Sequence, residues 1–297
     1  MIAYRSLFAM GTRLEMVLPE AGNETADQMF EVVREKLNEH EKMLSIYIED
    51  SEFSRINQNA PIGPWKTSEE CFNLISSLMK YSKLTRGYFD PGLGLMKKEL
   101  FDNDNEEVQV IHKTDIRERI ELNHDNRTIA FKAAGIKLDS GAFGKGYALD
   151  SLKKVLLSYN IKNAFISFGD SSVMTLGKHP AGDCWKIGIR DLVDERSNAW
   201  TFEINDGCVS TSGNTVNNRS KTEEGHIFNP DTGKFEDRRA VVSVRGTSAL
   251  ETEILSTALF VANNEERKEI MNNFPQYEAV ELVYSEAENK TLISQIK

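Results

Sequence analysis

Three stretches of this chain combine groups suited to holding a charged ligand. The longest reads Leu138-Asp-Ser-Gly-Ala-Phe-Gly-Lys-Gly-Tyr-Ala-Leu-Asp150. Gly141, Gly144 and Gly146 stand where a turn passes into an amphipathic pattern, so backbone can come close to a ligand there. A helix start offers free N–H groups and a partial positive charge, which suits phosphate, and Lys145 adds a full charge. The spacing matches neither a Walker A loop nor the dinucleotide-binding glycine fingerprint. A structural tight turn is the plain alternative, and the residues alone leave both readings open.

The second stretch is Glu251-Thr-Glu-Ile-Leu-Ser-Thr-Ala-Leu-Phe-Val261. On a helix, Glu253 and Thr257 lie four apart and share a face. A carboxylate and a hydroxyl together suit a hard cation such as Mg²⁺. An ordinary polar pair near a capped helix start is the competing reading. The third is Gly225-His-Ile-Phe-Asn-Pro-Asp-Thr-Gly233, where strand-like Ile227–Phe228 and a turn follow His226. An imidazole there could take a proton near neutral pH, although a lone histidine is more often structural. The other histidines (His40, His112, His124, His179) fall in polar, surface-like stretches. Two small-residue turns complete the set. Gly87-Tyr-Phe-Asp-Pro-Gly-Leu-Gly-Leu95 reads as a surface turn or a ligand loop. Ser210-Thr-Ser-Gly-Asn214 reads as a loop after a strand ending at Val209, with hydroxyls that could meet phosphate oxygens.

These groups need elements to position them. Residues 3–18 alternate apolar and polar as a strand does, interrupted at Gly11. Residues 24–44 carry Met29, Val32, Val33, Leu37 and Met43–Leu44 at helical spacing, with Asn23 or Thr25 as the cap. Further helices are predicted over 68–85, 143–160, about 250–262 and 265–273. Strands are predicted over 135–138, 164–168, 185–190, 200–204, 240–245 and 279–284. The charged segment 102–127 reads as a strand-and-loop insertion. Strict β-α-β alternation is missing, so α+β is favoured over a doubly wound sheet.

Composition sets the outer limits. The 297 residues are 40% hydrophobic and 28% charged, with a net charge of −10. That balance supports a sizeable core and argues against a nucleic-acid partner, which is held mainly by basic contacts. Cys71, Cys184 and Cys208 are far apart and odd in number, so they read as buried small hydrophobes rather than disulfides or metal ligands. No stretch approaches the length of a membrane span and no signal peptide is seen. The expected location is the cytoplasm, or the periplasm if a leader has been removed.

In order along the chain, eight motifs resemble the ApbE family, the FAD:protein FMN transferases. They are Ala9-Met-Gly-Thr12, Leu44-Ser-Ile-Tyr-Ile-Glu-Asp-Ser-Glu-Phe-Ser-Arg-Ile-Asn57, Gly87-Tyr-Phe-Asp-Pro91, the Asp139–Asp150 glycine motif, Ser167-Phe-Gly169, Thr211-Ser-Gly213, His226-Ile-Phe-Asn-Pro230 and Glu253-Ile-Leu-Ser-Thr-Ala-Leu259. The likeness covers roughly residues 5–285. It implies mixed sheets with packed helices in an ApbE-like (T-fold-like) architecture. It also implies one domain over 1–297, with room for two subdomains and the FAD site between them.

For function, the resemblance implies Mg²⁺-dependent transfer of FMN from FAD to a Thr/Ser hydroxyl of an acceptor protein, with release of AMP. A non-enzymatic FAD-binding protein and an FAD pyrophosphatase giving FMN and AMP are the alternatives. Met10 and Tyr47 match residues lining the flavin-nucleotide site. Gly92, Leu93 and Gly94 match a backbone segment on FAD, and Asp139 and Lys145 match cofactor contacts of the glycine motif. Ser212, His226 and Ile227 complete the cofactor-binding set. Ala142, Glu253 and Thr257 match the metal ligands, and His226 the histidine linked to catalysis. The chain departs from the family pattern in three places. Glu253 replaces the usual Asp. Asn229 replaces an Asp. Ser167-Phe-Gly-Asp-Ser171 replaces Asn-Leu-Gly-Gly-Asp.

Overall fold

A computed structural model describes residues 2–94, 115–194, 196–214 and 227–297. The alternating N-terminal stretch is not one strand but two. β1 (Ile2–Ala9) and β2 (Thr12–Pro19) form a hairpin across a two-residue turn. Met10 and Gly11 both take positive φ there, 49° and 76°. That backbone matches the twist of the flanking strands, which is why a glycine interrupts the pattern at this point. Leu14, Met16 and Leu18 alternate into the core.

The hairpin opens an eight-stranded sheet of order β1-β2-β6-β7-β10-β13-β14-β15, antiparallel throughout. Its other members are β6 (Ala164–Phe168), β7 (Ser172–Leu176), β10 (Cys208–Asn214), β13 (Ala240–Gly246), β14 (Glu278–Ser285) and β15 (Lys290–Ile296). This is the expected α+β class. Three strands of this sheet escape the pattern reading wholly or in part, each for a different reason. All five β7 residues are buried, so no polar alternation marks it. β15 is a mostly exposed edge strand. β10 runs through Ser210–Asn214, which therefore is not a loop. Its polar residues are satisfied inside the protein. Thr211 Oγ1 and Ser243 Oγ lie 2.8 Å apart across the sheet, and Ser212 Oγ lies 2.8 Å from Ser256 Oγ of a packed helix.

Three helices matter for the site. α1 (Asn23–Leu44) buries Met29, Val33, Leu37 and Met43–Leu44 as its spacing predicts. Its cap is Gly22, without a side-chain bond, rather than Asn23 or Thr25. α1 also buries His40, which is 1% exposed and packs edge-on to Tyr147 at 5.1 Å. The surface reading of this histidine is overturned. It sits one turn after Leu37 and three residues before Met43, on the same apolar stripe. α2 (Glu52–Asn59) and α3 (Glu69–Leu84) follow, each with a serine cap, Ser51 and Ser68. They pack with a small sheet of β3 (Trp65–Lys66), β5 (Thr128–Phe131) and β4 (Ile120–Asn123). α4 (Ile116–Arg119) leads into β4. The predicted insertion is thus ordinary secondary structure from residue 115 on; residues 102–114 lie outside the described residues.

α5 (Gly144–Ser158) and α6 (Ala249–Val261) pack against each other beside the large sheet. α6 is apolar on most of its surface and mostly buried, so it sits between α5 and the sheet rather than on the outside. α7 (Asn264–Asn272) follows, capped by Asn263 Oδ1. The opposite sheet face is covered by a hairpin of β8 (Trp185–Arg190) and β9 (Asn198–Ile204). β11 (Phe228–Asn229) and β12 (Lys234–Phe235) pair across a short turn. Asn229 belongs to this turn: its Oδ1 accepts from Asp231 N at 2.9 Å and its Nδ2 donates to Glu236 at 2.6 Å. Cys71 and Cys208 are buried as expected, and burial pushes the Cys208 thiol up to about 12. Cys184 is only half-buried.

Candidate functional site

A cleft of about 570 Å³ opens where four connections meet. Met10, Gly11 and Thr12 come from the β1–β2 turn. Glu41, Leu44 and Ser45–Ile48 come from the end of α1 and the loop beyond it. Asp139–Gly141, Gly144 and Lys145 come from the glycine motif, and Gly169 and Ser171 from the β6–β7 turn. Each wall is tied to a rigid element. The Met10 N–H donates to Glu41 Oε1 at 2.7 Å, locking the hairpin turn to α1. Ser140 Oγ donates to the Leu44 carbonyl at 3.2 Å. Tyr47 is 93% exposed at the rim, an unusual place for an aromatic ring.

The glycine motif is held from behind. Asn57 brackets Leu138, with Nδ2 donating to its carbonyl at 3.0 Å and Oδ1 accepting its N–H at 2.7 Å. This explains why the Leu44–Asn57 motif ends in an amide. Residues 91–94 run alongside 137–139. Asp139 N donates to Pro91 O at 2.9 Å, Lys137 N to Gly92 O at 3.1 Å, and Gly94 N to Lys137 O at 2.9 Å. Apart from these bonds and the Leu93–Lys137 bridge, 135–138 is no regular strand. Gly92, Leu93 and Gly94 therefore support Asp139 and do not line the cleft; Leu93 is buried. The turn they form is not on the surface either. Asp90 pairs with Arg119 there, both nearly buried, and Asp90 Oδ1 also takes the Gly92 N–H at 2.7 Å.

α5 starts with no side-chain cap. Its third residue, Gly146, shows why the motif needs glycine. A Cβ there would lie 2.4 Å from the Ala249 carbonyl oxygen and 2.8 Å from Glu253 Oε2. The glycine serves helix packing first and ligand approach second. Through this contact Glu253 reaches across. Its Oε2 accepts the Gly146 N–H, and its Oε1 lies 2.6 Å from Lys145 Nζ. Gly146 stands in the first turn, where an N–H has no acceptor within the helix, and Glu253 supplies one. One turn further along the same face of α6, Thr257 Oγ1 lies 3.1 Å from Ser212 Oγ.

The sequence-predicted residues thus fall into groups. Met10, Tyr47, Asp139 and Lys145 line one cleft. Glu253 joins it through Lys145, and Ser212 is paired with Thr257. Half-buried Ala142 stands in sequence between Gly141 and Gly144, which both line the cleft. Ile227 is buried, and His226 lies outside the described residues. Sequence reasoning missed Glu41, Ser45, Ile46 and Ser171. Glu41 reads as solvated helix charge; its only signal is its place in the last turn of α1.

No cluster of three His, Cys, Asp or Glu suited to a metal occurs among the described residues. A Mg²⁺ site here would instead be mixed: the Glu253 carboxylate, the Thr257 hydroxyl and the Ala142 carbonyl. These are hard oxygen donors, the chemistry Mg²⁺ takes. The buried Glu253 carboxylate already holds a cation, the Lys145 ammonium, so the donor set fits a positive charge. No helix of the described residues is long and apolar enough to cross a membrane.

A sequence model of the ApbE family matches residues 10–281. This chain belongs to the ApbE family. Among ApbE relatives, the FAD:protein FMN transferase of Escherichia coli is 25% identical over 277 residues, covering 88% of this chain and 79% of that protein. That of Vibrio cholerae is 26% identical over 243 residues, covering 77% and 72%. Among solved structures, the flavin transferase ApbE from Vibrio cholerae matches with a TM-score of 0.81 at 21% identity, covering 99% of this chain and 97% of that one. The ApbE protein from Thermotoga maritima matches with a TM-score of 0.81 at 23% identity, covering 100% and 97%. At these identities the structural likeness establishes the ApbE fold.

Proposed function

We propose that this chain is a flavin transferase that moves FMN from FAD onto a Thr/Ser hydroxyl of an acceptor protein, with Mg²⁺, and releases AMP. Kinship to proteins named FAD:protein FMN transferase supports the reaction. The observation that carries it is the 2.6 Å contact between Lys145 and Glu253, which joins the glycine-lined cleft to the candidate metal ligands. A dinucleotide linkage held in that cleft would lie between the uncapped start of α5 and the oxygens of α6.

In this reading Met10 and Tyr47 flank the flavin nucleotide, and Lys145 with the α5 N–H groups meets the pyrophosphate. Mg²⁺, when bound by Glu253, Thr257 and the Ala142 carbonyl, supplies positive charge against the pyrophosphate oxygens. Ser212 orients the Thr257 hydroxyl. The acceptor hydroxyl oxygen forms a bond to the FMN phosphorus as the phosphorus–oxygen bond to AMP breaks. His226 takes the hydroxyl proton, and AMP leaves with the bonding pair.

The test is incubation with FAD, Mg²⁺ and a peptide bearing an acceptor threonine, read by mass. The expected result is a gain of one FMN, lost in Glu253→Ala. AMP release with an unchanged peptide would favour the pyrophosphatase. Bound FAD with no turnover would favour the binding protein.

A further inference from the structure

Both oxygens of the Glu253 carboxylate are already taken. Oε1 is 2.6 Å from the Lys145 ammonium and Oε2 accepts the Gly146 N–H. The Glu253 side chain is 4% exposed and that of Lys145 23%. At this depth a divalent ion placed beside the ammonium meets a repulsion that is only weakly screened. A divalent ion that ligates Glu253 therefore competes with Lys145 for the carboxylate. The cleft gives Lys145 a direction in which to leave. It stands on the first turn of α5 and lines the cleft together with Ser140 and Gly141. Its flexible stem lets the ammonium turn from Glu253 towards an anion seated there.

We propose that Lys145 is a built-in counter-ion that occupies the Glu253 carboxylate until a divalent cation and a phosphate-bearing ligand arrive together. The inference rests on the metal reading proposed above. The metal takes Glu253 from Lys145, and the phosphate gives Lys145 a new partner. Each ligand therefore lowers the cost of binding the other, and the coupling is reciprocal. Without phosphate in the cleft, the metal competes against an ion pair and binds weakly. A merely structural ion pair would behave differently, because removing Lys145 would then loosen the site and weaken metal binding.

The test is Mn²⁺ titration of the full chain without nucleotide, followed by the paramagnetic signal of free Mn²⁺. Lys145→Met should bind Mn²⁺ about tenfold tighter than the wild type, the lower-end worth of one charged hydrogen bond. Lys145→Arg keeps the competing charge and should stay near the wild type. Lys145→Met binding no tighter than the wild type overturns the proposal. If neither protein binds Mn²⁺, the metal reading itself fails and the exchange falls with it. A second measurement uses the wild type alone, so it does not depend on the folding of a variant. Acylation of Lys145 by an N-hydroxysuccinimide ester, quantified by peptide mass, should speed up on adding Mg²⁺ as the ammonium leaves Glu253. A rate that is unchanged or slower in Mg²⁺ overturns the exchange.

Discussion

Asp150 should be worth more to this protein than its position at the end of a glycine motif suggests. It lies on α5, four residues after Gly146 and so on the same face, turned towards α6. There its carboxylate caps a different helix. Oδ1 accepts the Ala249 N–H at 2.8 Å, and Oδ2 accepts the Leu250 N–H at 3.0 Å and the Ser248 hydroxyl at 2.6 Å. Ser248 Oγ covers only the next amide, that of Glu251, at 3.2 Å. Asp150→Ala would leave two first-turn N–H groups without a carboxylate at the positive end of the helix dipole. A charged hydrogen bond contributes about 1.5–3 kcal/mol and a cap typically about 1 kcal/mol. The interaction with the dipole adds roughly 0.3–1 kcal/mol. Because the contact is only half-buried and these contributions overlap, we expect a loss of about 3 kcal/mol. Asp150→Asn keeps an acceptor and should lose about 1 kcal/mol.

Urea denaturation followed by circular dichroism measures this directly, and a thermal scan should show a drop of roughly 6 °C or more for Asp150→Ala. Glu253 lies one turn beyond Ala249, so fraying of that turn should also weaken Mn²⁺ and FAD binding. If Asp150→Ala unfolds within about 0.5 kcal/mol of the wild type, a value typical of an indifferent surface change, the capping argument is refuted.

Three further predictions concern other buried contacts. Gly146→Ala puts a methyl against the Ala249 backbone and should cost about 1–3 kcal/mol, with weaker FAD binding, both measurable by denaturation and flavin fluorescence. Glu281 is held by Arg267 at 2.8 Å and 2.9 Å and by Arg238 at 2.6 Å. Burial raises its pKa, but the two guanidinium groups outweigh burial and hold it below the usual 4.5. Its contribution is therefore full above the ordinary carboxylate range and is lost as pH falls through the depressed folded value. Glu281→Ala leaves two arginines facing an empty site and should cost about 3–5 kcal/mol in denaturant melts. His40 is driven down from 6.5 to about 4, first by burial and then by the charge of Lys36. The unfolded chain thus takes up a proton that the folded chain refuses. Stability should fall between about pH 6.5 and pH 4 by up to about 3 kcal/mol. His40→Phe should flatten that slope in melts across this range.

α1, α3, α5, α6 and α7 were legible from apolar residues at helical spacing, whereas α2 and α4 are too short for the pattern to mark and were not predicted. Ser68 caps α3 and Ser248 caps α6 where the sequence places a small hydroxyl residue before an apolar run. What stayed hidden depends on partners far away in the chain. Ser210 and Ser212 look like loop residues until α6 supplies Ser256 and Thr257 opposite them. β7 gives no alternation because both its faces are covered. Asp90 looks like the opening of an exposed turn until Arg119 arrives from α4 to pair with it. His40 reads as polar because Lys36, Glu39 and Glu41 surround it in sequence, although its own direction is inward. At the site, residue types and order were enough to nominate Lys145, Glu253 and Thr257. Only the packing of α5 on α6 brings Lys145 and Glu253 into contact.

The same contacts hold the two helices together and build the site. Successive turns of α5 meet α6 through Gly146 against the Ala249 carbonyl and through Asp150 at the α6 amides. Between these points Glu253 reaches back to Gly146 and Lys145. Glutamate stands where the family resemblance leads one to expect aspartate. Its extra methylene lets a carboxylate rooted on α6 touch both the first-turn N–H and the ammonium of α5. Shortening the side chain would withdraw it from at least one of them. The longer side chain therefore does not simply loosen the proposed metal site. It links the start of α5 electrostatically to α6, so the cleft's charge balance depends on the distance between two helices. That distance is fixed by a residue with no side chain, and this is why Gly146 matters as much to the chemistry as the charged groups around it.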